Sequence, residues 1–343
     1  MITLKGKRIL YIGSKFFNYE NEIQKELIGL GAKVDFFDQR PDNNFITKVL
    51  IRLNLKILIQ NRLDKYYEYI KKNIINNQYD YIFLISPEAI SKKNIEDLKK
   101  IQPNAKVICY MWDSVKNKLH LLDFFEIIDE VFSFDKDDCD TYKFKFLPLF
   151  YLNSYTAISN ISPNNIHYNL CFIGTVHSDR FDFVMKIKKQ FDNMNLKSFI
   201  YLYSPSKLMF IIQKLFYKNF NKIQIEDVFF KSLTNNQIIE IISKSEIILD
   251  IERPNQNGLS MRTIEILATK KKLITTNKNV QNYDFYNDKN ILIVDRINPI
   301  VPSEFLYNNY VQCSERIYSK YSLQNWLESI FVKDSLTSFT NIK

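Results

Sequence analysis

Glycine is scarce in this chain, with six in 343 residues, so each marks a place where the backbone has a particular need of it. Cysteine is also sparse. Cys109, Cys139, Cys171 and Cys313 are scattered, with no Cys-x-x-Cys pair and no histidine at ligand spacing, which excludes a structural zinc site and a disulfide framework. A reducing cytoplasm fits. No stretch approaches about 18 uncharged apolar residues, so a membrane-spanning helix is excluded. The opening "MITLKGKRILYIGSKFF" runs straight into a strand-like segment, and neither a signal-peptide apolar region nor an Ala-x-Ala cleavage site is expected there.

What is present is a long, apolar and basic chain. Its length and 46% hydrophobic content are enough for a sizeable core and imply two domains. Lys and Arg number 47 against 38 Asp and Glu, and the net charge of +9 suits a nucleic acid, a phosphate-bearing substrate or an anionic membrane face. The basic residues are spread along both halves rather than gathered in one recognisable module, which disfavours nucleic acid.

The glycines organise the chain. Gly13 ends "KRILYIGS", Gly29 and Gly31 punctuate "KELIGLGAKVDFFD", and Gly174 ends "YNLCFIGT". A short apolar run ending in Gly and leading into a helical pattern is how the first βα unit of a parallel sheet reads, and it occurs twice. Helices are expected near 18–30 and 180–194. Strands are expected near 33–37, 79–86, 105–112, 130–134 and 145–151 in the first half, and near 197–203, 245–252, 271–277 and 290–296 in the second. The fold class is therefore α/β: two Rossmann-like domains facing each other, with ligands at the carboxyl ends of the strands. Residues 1–151 form the first domain and 168–320 the second. The Ser- and Asn-rich stretch 152–167 reads as a linker, and 321–343 as a closing helix that crosses back to the first domain.

Two segments, 45–65 and 206–222, are both basic and apolar, and each begins about 32 residues after its domain's strand-end glycine. One reading packs them on the sheets with lysines outward. The other lays them on an anionic bilayer, as a lipid-borne substrate would require.

The segment "DIERPNQNGLSMRTIEILATKKKLITTN", residues 250–277, carries the chemistry. A buried strand runs through a polar loop into a helix with Ser260 as candidate N-cap. That arrangement makes an anion pocket, because free backbone N–H groups and the helix dipole point at the ligand. Gly258 lets the backbone approach closely, and Arg262 adds a positive fork for phosphate. Glu265 would repel phosphate but accept hydrogen bonds from ribose hydroxyls, and a phosphate beside a ribose describes a nucleotide. The plainer alternative is a surface ion pair three residues apart on an ordinary helix.

A C-terminal Rossmann-like half with this glycine loop, an Arg-x-x-Glu helix opening and "ATKKKLITTN" resembles the donor domain of GT-B fold glycosyltransferases. It is most similar to the CgeB-like and the lipopolysaccharide or capsule biosynthesis group. The resemblance extends loosely over residues 166–300 and includes "CFIGTVHSDR". It implies that Glu265 binds the nucleotide ribose and that Gly174, Thr175, His177, Lys231, Asn257, Gly258, Leu259, Ser260 and Arg262 line the nucleotide-sugar site. Arg180, Arg262 and Lys231 are the cations available to a departing diphosphate, and no Asp-x-Asp insists on a metal. Many retaining members carry a second glutamate eight positions before the ribose one; here that position is Asn257, so donor and stereochemistry stay open. In the first half, Asp113 follows a strand and is the first candidate for the general base, with His120 and His177 as competitors and a capping role as the alternative for Asp113. The cluster "SFDKDDCD" reads as the acidic first turn of a helix. The resemblance thus implies a glycosyltransferase of the cytoplasm or the inner membrane face, with a nucleotide-sugar donor, no cofactor, and a glycan or lipid-linked glycan acceptor. The alternatives are a sugar-nucleotide epimerase of the same fold and a binding protein without turnover.

Overall fold

The computed structural model describes residues 4–160, 165–176, 179–217, 220–252 and 257–332. The chain divides into two compact units, one made of Met1–Pro148 with Leu323–Thr340 and the other mainly of Leu149–Ser322. Each is built on a six-stranded sheet whose strand pairs are all parallel.

The first sheet contains β1 (Arg8–Gly13), β2 (Lys33–Asp38), β3 (Tyr81–Ile85), β4 (Lys106–Met111), β5 (Glu130–Ser133) and β6 (Lys145–Phe146), in the order β2-β1-β3-β4-β5-β6. After their first residues, Arg8, Tyr81 and Lys106, the central strands β1, β3 and β4 are apolar and buried, as strands covered on both faces must be. Gly31, at φ 97, closes the turn after the helix Tyr19–Gly29 in the left-handed region that a glycine enters freely. Strand β6 is shorter than the expected 145–151 because Pro148 offers no N–H to a ladder, and the first unit ends there. The closing helix Leu323–Phe331 belongs to this unit. Its Trp326 ring packs 4.7 Å from Tyr110 and 6.1 Å from Phe83.

The second sheet contains β7 (Tyr168–Thr175), β8 (Ser198–Tyr203), β9 (Val228–Phe229), β10 (Ser245–Asp250), β11 (Lys272–Thr275) and β12 (Ile291–Ile293). Read from β9, the order is β9-β8-β7-β10-β11-β12. Counted within the unit this is three-two-one-four-five-six, the strand order of a dinucleotide-binding fold, and it reverses between β7 and β10. The stretch expected as a linker starts with the helix Asn153–Thr156 and a 3-10 turn at 157–160, and Leu152, Tyr155 and Ile158 are buried in the second unit. Apolar side chains at three-residue spacing outweigh the Ser/Asn composition there.

The two strand-end glycines share one reason. A Cβ on Gly13 would lie 2.9 Å from the Tyr11 ring, and one on Gly174 would lie 2.7 Å from the Phe172 ring. Residues two apart share a sheet face, so each glycine makes room for the aromatic ring preceding it. Among the described residues no helix is long and apolar enough to cross a membrane.

Candidate functional site

In an open parallel sheet the crevice for a ligand opens where the strand order reverses, at the carboxyl ends of the strands. In the second unit that point lies between β7 and β10, and Arg180 spans it. Its Nη2 donates to the Ile251 carbonyl at 2.5 Å, just past β10, and its Nη1 to Thr175 Oγ1 at 3.3 Å, at the end of β7.

Asn257 and Gly258, which lead into the next helix, are held on the same side. Asn277 Nδ2 donates to the Gly258 carbonyl at 3.3 Å and Asn279 Nδ2 to that of Asn257 at 2.9 Å. Gly258 and Leu259 are buried. Ser260 is the N-cap of the helix Met261–Thr269 and accepts from Thr263 N. Its hydroxyl also donates to Asp250 Oδ2 at 2.5 Å, and Thr263 Oγ1 donates to that same oxygen at 2.7 Å. The helix N-terminus is therefore fixed to the end of β10, with its first backbone N–H groups at the carboxyl rim, where an anion is favoured.

Arg262 and Glu265 are paired, Nη1 to Oε2 at 3.3 Å, with side chains 20% and 4% exposed. Glu265 is buried and Arg262 half-buried, so the surface-pair alternative does not describe them. It adjoins the Tyr155 hydroxyl, whose pKa is pushed up first by burial and then by Glu265, with Arg262 opposing. The structure thus brings Thr175 and Arg180 together across the switch point, sets Asn257, Gly258, Leu259 and Ser260 at the helix mouth, and places Arg262 and Glu265 within the first turns of that helix. Gly174 precedes Thr175. Lys231 is exposed beyond β9, separated from β10 by β8 and β7. His177 lies outside the described residues.

A network that no local motif announces closes this rim. Arg296, after β12, forks onto the Asp179 carboxylate at 2.6 and 3.0 Å and reaches Glu252 Oε1 at 3.0 Å. Glu252 also accepts from the Thr276 hydroxyl. Asp179 first, and then Glu252, hold the Arg296 guanidinium above its ordinary pKa. Together these bonds tie Asp179, Glu252, Thr276 and Arg296, which follow β7, β10, β11 and β12, to one another.

In the first unit, strand order reverses at β1 and β3, and buried Gln39 fills that point. Its Nε2 donates to Ser14 Oγ at 2.7 Å and the Ser86 carbonyl at 2.9 Å, while its Oε1 accepts from Ala89 N. Ser86 sits at φ 42, an uncommon conformation for a residue with a side chain. Beside it, Trp112 N donates to Ser86 Oγ at 2.8 Å, and the Trp112 ring meets Tyr19 at 5.5 Å.

Asp113 follows Trp112. Its Oδ1 accepts from Ser114 N at 3.0 Å and Asn117 Nδ2 at 2.8 Å, so it holds the turn, although the N-cap of the 3-10 turn Val115–Asn117 is Ser114. His120 lies on the same loop. Burial first, then Lys56 and Lys118, lower its pKa, which keeps the imidazole neutral near pH 7. The acidic cluster does form the first turn of the helix Lys136–Tyr142, and it does more besides. Asp135 accepts from the Ser114 hydroxyl and Asp138 from Val115 N at 2.8 Å, clasping the Asp113 loop. Among the described residues no group of three or more His, Cys, Asp or Glu side chains is placed to hold a metal ion.

No protein-family model matches the chain, and no curated protein matches it in sequence. Its fold, however, matches solved structures end to end. An alpha-glucosyltransferase in complex with UDP and a mismatched 13-mer DNA superposes with a TM-score of 0.62 at 14% identity, covering 94% of this chain and 95% of that one. Anabaena HepE in complex with UDP-glucose gives 0.58 at 10% identity, covering 94% and 98%. The UDP-GlcNAc 2-epimerase of Neisseria meningitidis bound to UDP-GlcNAc gives 0.49 at 12%, covering 93% and 97%. The architecture is accordingly α/β with two Rossmann-like domains, the GT-B arrangement; at these identities the likeness reaches no further than the fold.

Proposed function

We propose that the chain is a nucleotide-sugar-dependent glycosyltransferase whose donor site is the rim of the second sheet between β7 and β10. The observation that carries this reading is the helix N-terminus fixed by Ser260, Thr263 and Asp250 beside Arg180 at the topological switch point. That combination suits a diphosphate: backbone N–H groups and a guanidinium meet negative charge as it grows on the leaving group. Glu265, paired with Arg262 in the same helix, is the carboxylate for the ribose hydroxyls. Two proteins of this fold have been solved with UDP or UDP-glucose, so UDP is the first nucleotide to offer.

Transfer needs an acceptor oxygen to form a bond to the anomeric carbon while the bond to the nucleoside diphosphate breaks, and a base to take the hydroxyl proton. Asp113 is our candidate. Its Oδ1 is occupied by Ser114 and Asn117, so Oδ2 is the oxygen to receive the proton. The acceptor class is a hydroxyl of a surface polysaccharide or lipopolysaccharide, lipid-linked during assembly.

Thermal unfolding with UDP, GDP, CMP, CDP and dTDP and the corresponding nucleotide sugars, on the parent and on Glu265→Gln, tests this. A ligand that binds only the folded state raises the melting temperature by mass action. The expected result is a rise with one nucleotide class that the variant loses. No rise with any nucleotide sinks the proposal. A nucleotide sugar recovered as its 2-epimer, with no nucleotide released, replaces transfer with epimerisation, and binding without turnover over many acceptors leaves a binding protein.

A further inference from the structure

The helix Lys207–Phe216 is turned the wrong way for a helix that packs on a sheet. Leu208, Ile211, Ile212 and Leu215 stand at i, i+3, i+4 and i+7, the spacing of one apolar stripe, and all four are exposed, from 42% to 78%. Phe216 and Tyr217 extend the stripe, at 77% and 61% exposed. Phe210 alone of the helix is buried. The stripe's outward direction reverses the packing expected of a basic amphipathic helix, whose lysines would point to water and whose leucines would point in.

The charge along the segment that carries the stripe is positive, although Lys222 at its end pairs with Asp182 at 3.3 Å. Between Asp192 and Glu226 the sequence holds Lys197, Lys207, Lys214, Lys218 and Lys222 and no carboxylate. The first unit repeats the pattern at the corresponding place after its second strand. Phe45 and Ile46 on the helix Phe45–Arg52, and Leu53, Leu55, Ile57 and Leu58 in and before the 3-10 turn Lys56–Ile59, are 43% to 81% exposed. Lys48, Arg52, Lys56 and Arg62 lie between Asp42 and Asp64 with no acidic residue among them. Arg62 pairs with Asp42 at 2.7 Å and Lys56 donates to the Glu88 carbonyl at 3.0 Å, so Lys48 and Arg52 are the cations beside this stripe.

We infer that these two segments are interfacial anchors that seat the protein on an anionic phospholipid bilayer, each laying its apolar stripe among the acyl chains with its cations at the headgroups. A protein partner would match an apolar stripe equally well, and the excess of positive charge beside both stripes, Lys207 and Lys214 on one and Lys48 and Arg52 on the other, decides between them. Anionic lipid supplies negative charge along the whole rim of a stripe, and each lysine near such a surface strengthens binding about fivefold. The inference does not depend on the nucleotide reading, although it would bring a lipid-linked acceptor to the protein.

Sedimentation of the full chain with vesicles of phosphatidylcholine alone, or of phosphatidylcholine and phosphatidylglycerol in equal parts, tests it. The protein is expected to pellet with the anionic vesicles only, and less as salt screens the charges. Ile211→Glu with Leu215→Glu, and separately Ile57→Glu with Leu58→Glu, should each lower binding at least about tenfold, and Lys207→Gln with Lys214→Gln by about fivefold per lysine. All these positions are on or near the surface, so unfolding temperature and any shift with UDP should match the parent. If UDP gives no shift in the parent while anionic vesicles still bind, the donor site fails and the anchor stands. Equal binding to both vesicles, binding to neither, or variants that pellet like the parent overturn the inference. So does a concentration-dependent dimer in light scattering that Leu215→Glu abolishes, since the stripe would then serve a second copy of the chain.

Discussion

Asp250, the last residue of β10, accepts the Thr263 hydroxyl at 2.7 Å, tying the end of a central strand to the first turn of the helix that follows. Ser260 donates to the same carboxylate oxygen while accepting from Thr263 N. Strand end and helix start are thereby held together, and Asn257 and Gly258, just before the helix, are bonded by Asn279 and Asn277.

The first prediction concerns that tie. Ser260→Ala removes the cap and one bond to Asp250, and should cost about 1–2 kcal/mol in urea unfolding. If the helix mouth holds the diphosphate, the nucleotide-induced rise in melting temperature should shrink as well. A variant as stable as the parent, with the same rise, would show that neither bond matters.

The Arg262–Glu265 pair makes a second prediction through a double-mutant cycle. Arg262→Met leaves a 4%-exposed carboxylate without its cation and should cost about 3–5 kcal/mol, whereas Arg262→Met with Glu265→Gln should recover a large part of that loss. Costs that simply add would mean that the pair is not coupled. Independently of stability, Glu265→Gln should weaken nucleotide binding if the carboxylate meets the ribose.

Much of this was legible in the chain because local chemistry determines it. The strand-end glycines, the capping serine at Ser260 and the acidic first turn at 137–138 are each decided within a few residues. Strand β9, two residues long, carries too little pattern to read. The helix Asn235–Ser243 carries a local signal in the capping box of Thr234 and Gln237, with no glycine to mark it. The Arg296 fork could not be found that way, since its partners lie 117 and 44 residues distant and meet only once the parallel sheet aligns their strand ends. The outward turn of the Lys207–Phe216 stripe was equally hidden. Periodicity identifies an apolar face, and only the packed structure shows whether that face is covered.

Gly174 gives a third prediction. Gly174→Ala should cost about 1–3 kcal/mol by overpacking, because the new methyl meets the Phe172 ring at 2.7 Å. Phe172→Leu in the same chain should recover part of the loss, although it costs stability on its own in a buried core. Failure of Phe172→Leu to relieve Gly174→Ala would point to the backbone, and not the ring, as the reason for glycine there.

Asp138, which holds the Asp113 loop through Val115 N, makes the stability depend on pH because its carboxyl is buried. Burial raises its pKa to about 6, the Val115 N–H opposes that rise, and Asp135 adds to it. An exposed aspartate loses its proton near pH ~4, so between about pH 4 and 6 the folded state binds more protons than the unfolded one and stability falls as pH rises. The contribution is complete below about pH 4 and gone above about pH 6, and its size is of order 2 kcal/mol. Asp138→Asn stays neutral throughout while still accepting from Val115 N. Urea midpoints taken from pH 4 to 7 should therefore show the parent losing stability relative to Asp138→Asn across that window. Curves that run parallel would mean that Asp138 titrates like an exposed carboxylate and that its burial carries no penalty for the charge.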